Sequence, residues 1–228
     1  MDNYEIKAIA HMRSDFPTKF GIPRQAGIVD ELRSYIVFEP EYRNPDAFRG
    51  IEDFSYIWVI WQFSENLREG YSPTVRPPRL GGNERKGVFA TRSPFRPNAL
   101  GLSSLELLEY KIDPQLGPVL CVAGADLMDG TPIFDIKPYV PYADCHEDAK
   151  SGFAPDSGNK LKVEYSPELD KKIPGDKLRA MIGVLENDPR PRYQNDPERI
   201  YKMEFAGYEL SFKVKEKILS LLSAEKSL

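Results

Sequence analysis

Two histidines and two cysteines are all that this 228-residue chain has of the side chains that most often serve as nucleophiles or soft-metal ligands. His11 and His146 stand far apart, and Cys121 and Cys145 share no short Cys-x-x-Cys spacing. That scarcity argues against a zinc clip and a disulfide framework, and no metal is expected. A Ser-His-Asp triad would have to be assembled from isolated residues, and neither histidine is assigned to catalysis. No Gly-x-Gly-x-x-Gly stretch lies between a strand and a helix, so a Rossmann-type nucleotide crevice is not expected. The opening stretch, MDNYEIKAIAHMRSDF, alternates apolar and polar residues and has no continuous apolar core. It reads as neither a signal peptide nor a membrane span, and the expected location is the cytoplasm.

What is present is ordinary in bulk and unusual in its distribution. Hydrophobic residues at 41% and charged residues at 29% describe a globular chain with one sizeable core or one core and an appendage. The net charge of −4 argues against indiscriminate coating of nucleic acid. Yet Arg76, Arg79, Arg85, Lys86, Arg92 and Arg96 fall in one Pro- and Gly-rich segment against a single acid, Glu84. That segment is a local anion-binding surface on an acidic protein.

Within it, Arg92-Ser93-Pro94-Phe95-Arg96-Pro97-Asn98 interrupts a strand-like pattern. Each proline fixes its own φ and pushes the residue before it towards extended geometry, so the loop can hold two guanidinium groups in place. Strands are expected over Tyr4 to Met12, Leu32 to Phe38, Phe54 to Phe63, Gly87 to Thr91, Leu100 to Ile112, Val119 to Asp126 and Ile133 to Pro138. A short helix is expected to start at Asn44-Pro45. Repeated strands joined by Gly/Pro turns predict a mainly β architecture, a barrel or sandwich instead of a doubly wound sheet. Residues 144–160 read as a linker. Beyond it, a helix from Ser166 that breaks near Pro174-Gly175, the stiff bend Asp188-Pro189-Arg190-Pro191, and a hairpin around Ala206-Gly207 predict a small α+β domain over 161–228, after a β domain over 1–143.

The stretches PTKFGIPRQAG, TVRPPRLGGNERKGVFATRSPFRPNALGLS, DLMDGTPIFDIKPYVPYAD and DPRPRY, in this order, resemble the TsaA-like family, and within it the TrmO-type tRNA methyltransferases. The resemblance implies a β-barrel S-adenosylmethionine fold, usually a homodimer. It also implies methylation of N6 of threonylcarbamoyladenosine beside the anticodon, with the tRNA anticodon arm as partner. It further implies that Pro23, Arg24, Gln25, Phe63, Ser64, Arg92, Gly101, Leu102, Asp129, Gly130, Thr131 and Pro132 line the cofactor pocket. Ser64 stands where bacterial members commonly carry His, and Ala99 replaces a usual Pro.

The chemistry of the residues agrees with that resemblance. Methyl transfer from a sulfonium is a direct displacement that needs neither metal nor protein nucleophile, only alignment. Rigid Pro-Arg and Asp-Gly-Thr-Pro loops supply alignment. N6 must shed a proton, and Asp135 is a candidate acceptor because strand alternation puts its side chain opposite Phe134 and Ile136; pairing with Lys137 on the same face is the competing role. Arg92 or Arg96 offers a planar fork for a substrate carboxylate. Arg76, Arg79, Arg85, Lys86 and Arg96 are the candidate RNA contacts. A non-catalytic S-adenosylmethionine-binding module and a small-molecule methyltransferase are the alternative readings.

Overall fold

The computed structural model describes residues 4–67, 70–154, 158–191 and 196–227. Its strands are β1 (Ala10–Arg13), β2 (Arg33–Phe38), β3 (Tyr56–Gln62), β4 (Thr74–Val75), β5 (Lys86–Gly87), β6 (Leu100–Asp113), β7 (Gly117–Ala123), β8 (Pro132–Pro138), β9 (Lys162–Glu164), β10 (Tyr201–Phe205), β11 (Tyr208–Lys215) and β12 (Ile218–Lys226). Its α-helices are α1 (Pro141–Asp144), α2 (Leu169–Lys172) and α3 (Gly175–Glu186).

Six strands pair antiparallel in the order β1-β2-β7-β6-β3-β8. β8 also meets β1 through Ala10↔Ile133 and His11↔Pro132, so each of the six has two neighbours. Ile57, Val59 and Trp61 on β3 face inward with Ala10, Met12, Ile36, Leu105, Leu120, Val122 and Ile133, the period-two pattern expected of a half-buried sheet. Between Ile60 and Trp61 the β3–β8 register slips: Ile60 faces Asp135 but Trp61 faces Ile133. Phe134 is therefore the extra residue of a bulge, so the alternation expected between Phe134 and Asp135 is broken, while Ile136 still faces the core opposite Asp135.

The second sheet runs β10-β11-β12-β9. Ala206 and Gly207 at its first turn have φ of 51° and 78°, the paired positive values of a tight hairpin turn. α3 packs one face, Leu178, Met181, Val184 and Leu185, into the core of this sheet. Phe16, Val29 and Leu32 complete that core from the other end of the chain. Phe16 meets Phe205 edge to face at a 5.1 Å centroid distance, Lys177 Nζ lies 2.7 Å from Asp15 Oδ2, and Ala206 N donates to the Asp15 carbonyl at 2.9 Å. Residues 15–32 thus tie the two sheets together.

Three local expectations are corrected. Gly87 to Thr91 is not a strand: after β5 the chain makes a 3-10 turn, Val88–Ala90, because Val88 is buried whereas Phe89 is 74% exposed and no continuous face exists to pair. The helix at Asn44 is a single 3-10 turn, Pro45–Phe48, with Asn44 capping it through Asp46 N at 3.0 Å. The first strand is confined to Ala10–Arg13.

Because Phe16 is 1% exposed within the second core, Phe16→Ala should destabilise the protein by about 3–5 kcal/mol. Denaturant unfolding gives the magnitude. Hydrogen exchange should show the loss in β10, β11 and β12; protection lost in β1 and β2 alone would contradict the bridging role.

Candidate functional site

Two adjoining cavities lie at one end of the six-stranded sheet. The smaller, about 680 Å³, falls in the size range of small-molecule sites. One wall is aromatic, from Trp58 and Trp61 on β3 and Phe63 just beyond it. Gly101 stands opposite Trp61 in the β3–β6 register, and a Cβ built on it would come within 2.3 Å of the indole ring. The absent side chain is therefore what lets the ring lie flat across β6.

Trp61 Nε1 donates to Ser103 Oγ at 3.0 Å, and Ser103 Oγ donates to Asp126 Oδ1 at 2.7 Å. Asp126 lines the smaller cavity where the chain leaves β7. Burial pushes its carboxyl above the ordinary value, while the Ser103 hydroxyl, its own backbone amide, the Arg92 charge and the Ala26 amide oppose that rise. Sequence reasoning does not single out Asp126. The available signal is that it is the one charged residue between Asp113 and Asp129, closing the apolar run VLCVAGA.

The larger cavity, about 2430 Å³, is lined by Lys19, Arg24, Arg76, Arg79, Arg85, Arg92, Arg96, Lys150 and Arg190, with no Asp or Glu among its described lining. Arg24, Gln25, Arg92 and Arg96 line both cavities. Arg92 Nη1 donates to Gln25 Oε1, joining the two proline-stiffened loops. Arg96 Nη1 turns back onto the carbonyls of Thr91 (3.0 Å) and Ser93 (3.5 Å), so this donor braces the loop instead of pointing at a ligand. Arg24 Nη2 donates to the Arg190 carbonyl at 3.4 Å. Arg190 is itself buried and forked onto Asp188 through Nε (2.8 Å) and Nη2 (2.9 Å), and Asp188 holds a φ of 51°. The bend beyond α3 therefore forms part of the larger cavity's wall; Arg192 and Tyr193 of the same motif lie outside the described residues.

Of the residues expected at the cofactor, Pro23, Arg24, Gln25, Phe63, Ser64, Arg92, Gly101, Leu102 and Thr131 line the smaller cavity. Asp129, Gly130 and Pro132 do not. The Asp129 carboxylate instead accepts from Ser14 N at 3.1 Å and Arg13 Nη1 at 3.5 Å, locking the exit from β1. Thr131 gives its hydroxyl proton to the Met128 carbonyl at 2.7 Å. Asp135 lies outside both linings, 2.9 Å from Lys137 Nζ, because the bulge leaves it on the outer face with that lysine. Of the candidate RNA contacts, Arg76, Arg79, Arg85 and Arg96 line the larger cavity, whereas Lys86 pairs with Glu84 outside it.

Comparison with known proteins extends over the whole arrangement. Residues 11–145 match the family model of the tRNA-methyltransferase O N-terminal domain, and 158–227 match that of the TrmO C-terminal domain. The chain is 38% identical over 205 residues to the tRNA (adenine(37)-N6)-methyltransferase of Escherichia coli (strain K12), covering 87% of each. It is 45% identical over 172 residues to the enzyme of the same name from Eikenella corrodens, covering 75% of this chain and 96% of that one. The crystal structure of TrmO from Pseudomonas aeruginosa superposes with a TM-score of 0.79 at 28% identity, over 98% of this chain and 99% of that one. On its sequence, its two sheets and the matches that span both, this chain belongs to the TrmO family of tRNA methyltransferases.

Proposed function

We propose that this chain is an S-adenosylmethionine-dependent tRNA methyltransferase that methylates N6 of N6-threonylcarbamoyladenosine beside the anticodon. The observation that carries the reading is the junction of the two cavities: a partly aromatic chamber of small-molecule size opens, through shared Arg24, Gln25, Arg92 and Arg96, onto a basic groove with no Asp or Glu among its described lining. Such a groove suits a polyanion, and its cations contrast with the net charge of −4. On this reading the ring of six strands is an S-adenosylmethionine-binding β-barrel, residues 1–143 form the catalytic domain, and 161–228 form a C-terminal domain that supplies one wall. The protein works in the cytoplasm as a homodimer. Among the described residues no helix is long and apolar enough to cross a membrane.

The residues at the smaller cavity fit the methyl donor. Its adenine suits the faces of Trp58, Trp61 and Phe63, and its methionine carboxylate suits Arg24 or Arg92. The donor provides an electrophilic methyl group. The chain's part is to hold the acceptor nitrogen in line with it, exclude water and take up a proton, and in-line holding alone is worth roughly 7–11 kcal/mol of the barrier. Exposed Arg76 and Arg85 and half-buried Arg79 are the cations we assign to phosphate and to the threonyl carboxylate.

The direct test is methylation of tRNA from a strain lacking this enzyme, set against tRNA that also lacks threonylcarbamoylation. Transfer to the first and at least tenfold less to the second is expected, the loss of one charge-assisted bond of roughly 1.5–3 kcal/mol. Donor binding without transfer to either would favour the non-catalytic module.

Arg24→Ala and Arg92→Ala should each weaken S-adenosylmethionine binding by about tenfold to a hundredfold, for the same reason. Calorimetry on folded protein reads this, and unchanged affinity in both would remove them from the donor site. Replacing Arg76, Arg79 and Arg85 together by alanine should lower the salt slope of tRNA binding by roughly 0.7–0.9 for each phosphate no longer neutralised, with donor affinity unaltered. An unaltered salt slope would place the RNA elsewhere.

A further inference from the structure

The proton that must leave N6 has no acceptor in the residues that the sequence singled out. Asp135 is held by Lys137 on the outer face of β8, and Asp129 is engaged with Ser14 and Arg13 at the β1 exit. Among the described residues, the smaller cavity is lined by two carboxylates, Glu65 and Asp126, and Glu65 is exposed in the 3-10 turn Ser64–Asn66. Asp126 is set deeper, on a hydrogen-bonded line that runs from the Trp61 indole through Ser103 to Oδ1. That line fixes the orientation of the carboxylate, and the amides of Asp126 and Ala26 also bond to it. Trp61 and Ser103 are 7% and 3% exposed, so the support is part of the core and does not move with the surface loops.

We propose that Asp126 is the catalytic base of the methyl transfer, taking the N6 proton on its carboxylate while Ser103 and Trp61 position it. This rests on the function proposed above. The lone pair of a ureido nitrogen is delocalised into its carbonyl group, so N6 gains nucleophilicity as its proton leaves. As the N6–CH3 bond forms, the CH3–S bond breaks and its electron pair goes to sulfur, which becomes a neutral thioether. The N6 proton passes to the Asp126 carboxylate and from there to water. Burial raises the proton affinity of this carboxyl, and the Ser103 hydroxyl opposes that rise most strongly, followed by its own backbone amide, the guanidinium of Arg92 and the amide of Ala26. Arg92, from the facing loop, is the charged group that acts on it among the described residues.

Two variants test this. In Asp126→Asn, single-turnover methylation of modified anticodon stem-loops at saturating donor should fall by about a hundredfold or more. S-adenosylmethionine affinity by calorimetry should stay within about threefold, since an amide keeps the shape and still accepts from Ser103. In Ser103→Ala the carboxylate stays but loses the bond that favours its charged form. The acidic limb of the pH–rate profile should therefore move to higher pH, and the ¹³C-carboxyl titration midpoint of Asp126 in the donor-free protein should move with it. If Asp126→Asn fails to fold, Ser103→Ala decides alone. A parent-like rate in Asp126→Asn, a tenfold or greater loss of donor affinity there, or an acidic limb unmoved in Ser103→Ala would each overturn the assignment. A parent protein that methylates no tRNA would instead overturn the function on which it rests.

Discussion

The packing of the Trp61 indole on the bare backbone of Gly101 sets the end of the six-stranded sheet on which the site depends. With no Cβ at Gly101, the ring lies across β6 and its Nε1 reaches Ser103. Ser103 in turn reaches Asp126, which follows β7 in the chain. Two strands, β3 and β6, and the segment that follows β7 are thereby fixed at one point by one aromatic face and two hydrogen bonds. The mouth of the cavity is built above that point from irregular loops that have little secondary structure to hold them. A side chain at position 101 would displace the ring, and with it the hydroxyl and the carboxylate that the ring supports.

Rigidity in those loops comes from proline and from arginines that bond to backbone or to each other's loops. Pro94 and Pro97 restrict the basic loop, Arg96 closes it by donating to Thr91 and Ser93, and Arg92 joins it to Gln25. Arg24, the neighbour of Gln25, is held from the far end of the chain by the carbonyl of Arg190. Arg190 stays in place because its guanidinium is buried against Asp188, whose positive φ closes the bend. The bend that follows α3 therefore supports one rim of the basic groove, and the C-terminal core is completed by Phe16, Val29 and Leu32 from the opposite end.

Much of the first sheet is legible in the sequence, because alternation survives wherever one face is buried. β2, β3, β6 and β8 lie within two residues of where apolar periodicity sets them, and β7 ends three residues early. The pattern misleads where a strand-like composition has nothing to pair with, as at Val88 and Phe89, and where a bulge changes the parity, as at Phe134. β12 is hidden because ILSLLSAEK is rich in helix formers, and pairing with β11 on one side and β9 on the other overrides that local preference. The motifs shared with the TrmO-type family point to most of the cavity lining. They do not show which way a carboxylate points. Asp129 turns towards β1, Asp135 turns outward, and Asp126, inconspicuous at the end of an apolar run, is the carboxylate set deeper in the chamber.

On the proposed function these loops and strand ends form a single donor site. Hydrogen–deuterium exchange with and without S-adenosylmethionine tests that most directly. New protection is expected only in the segments around Arg24, Phe63, Arg92 to Leu102 and Asp126 to Thr131. Protection confined to β10, β11 and β12, or none at saturating donor, would contradict it.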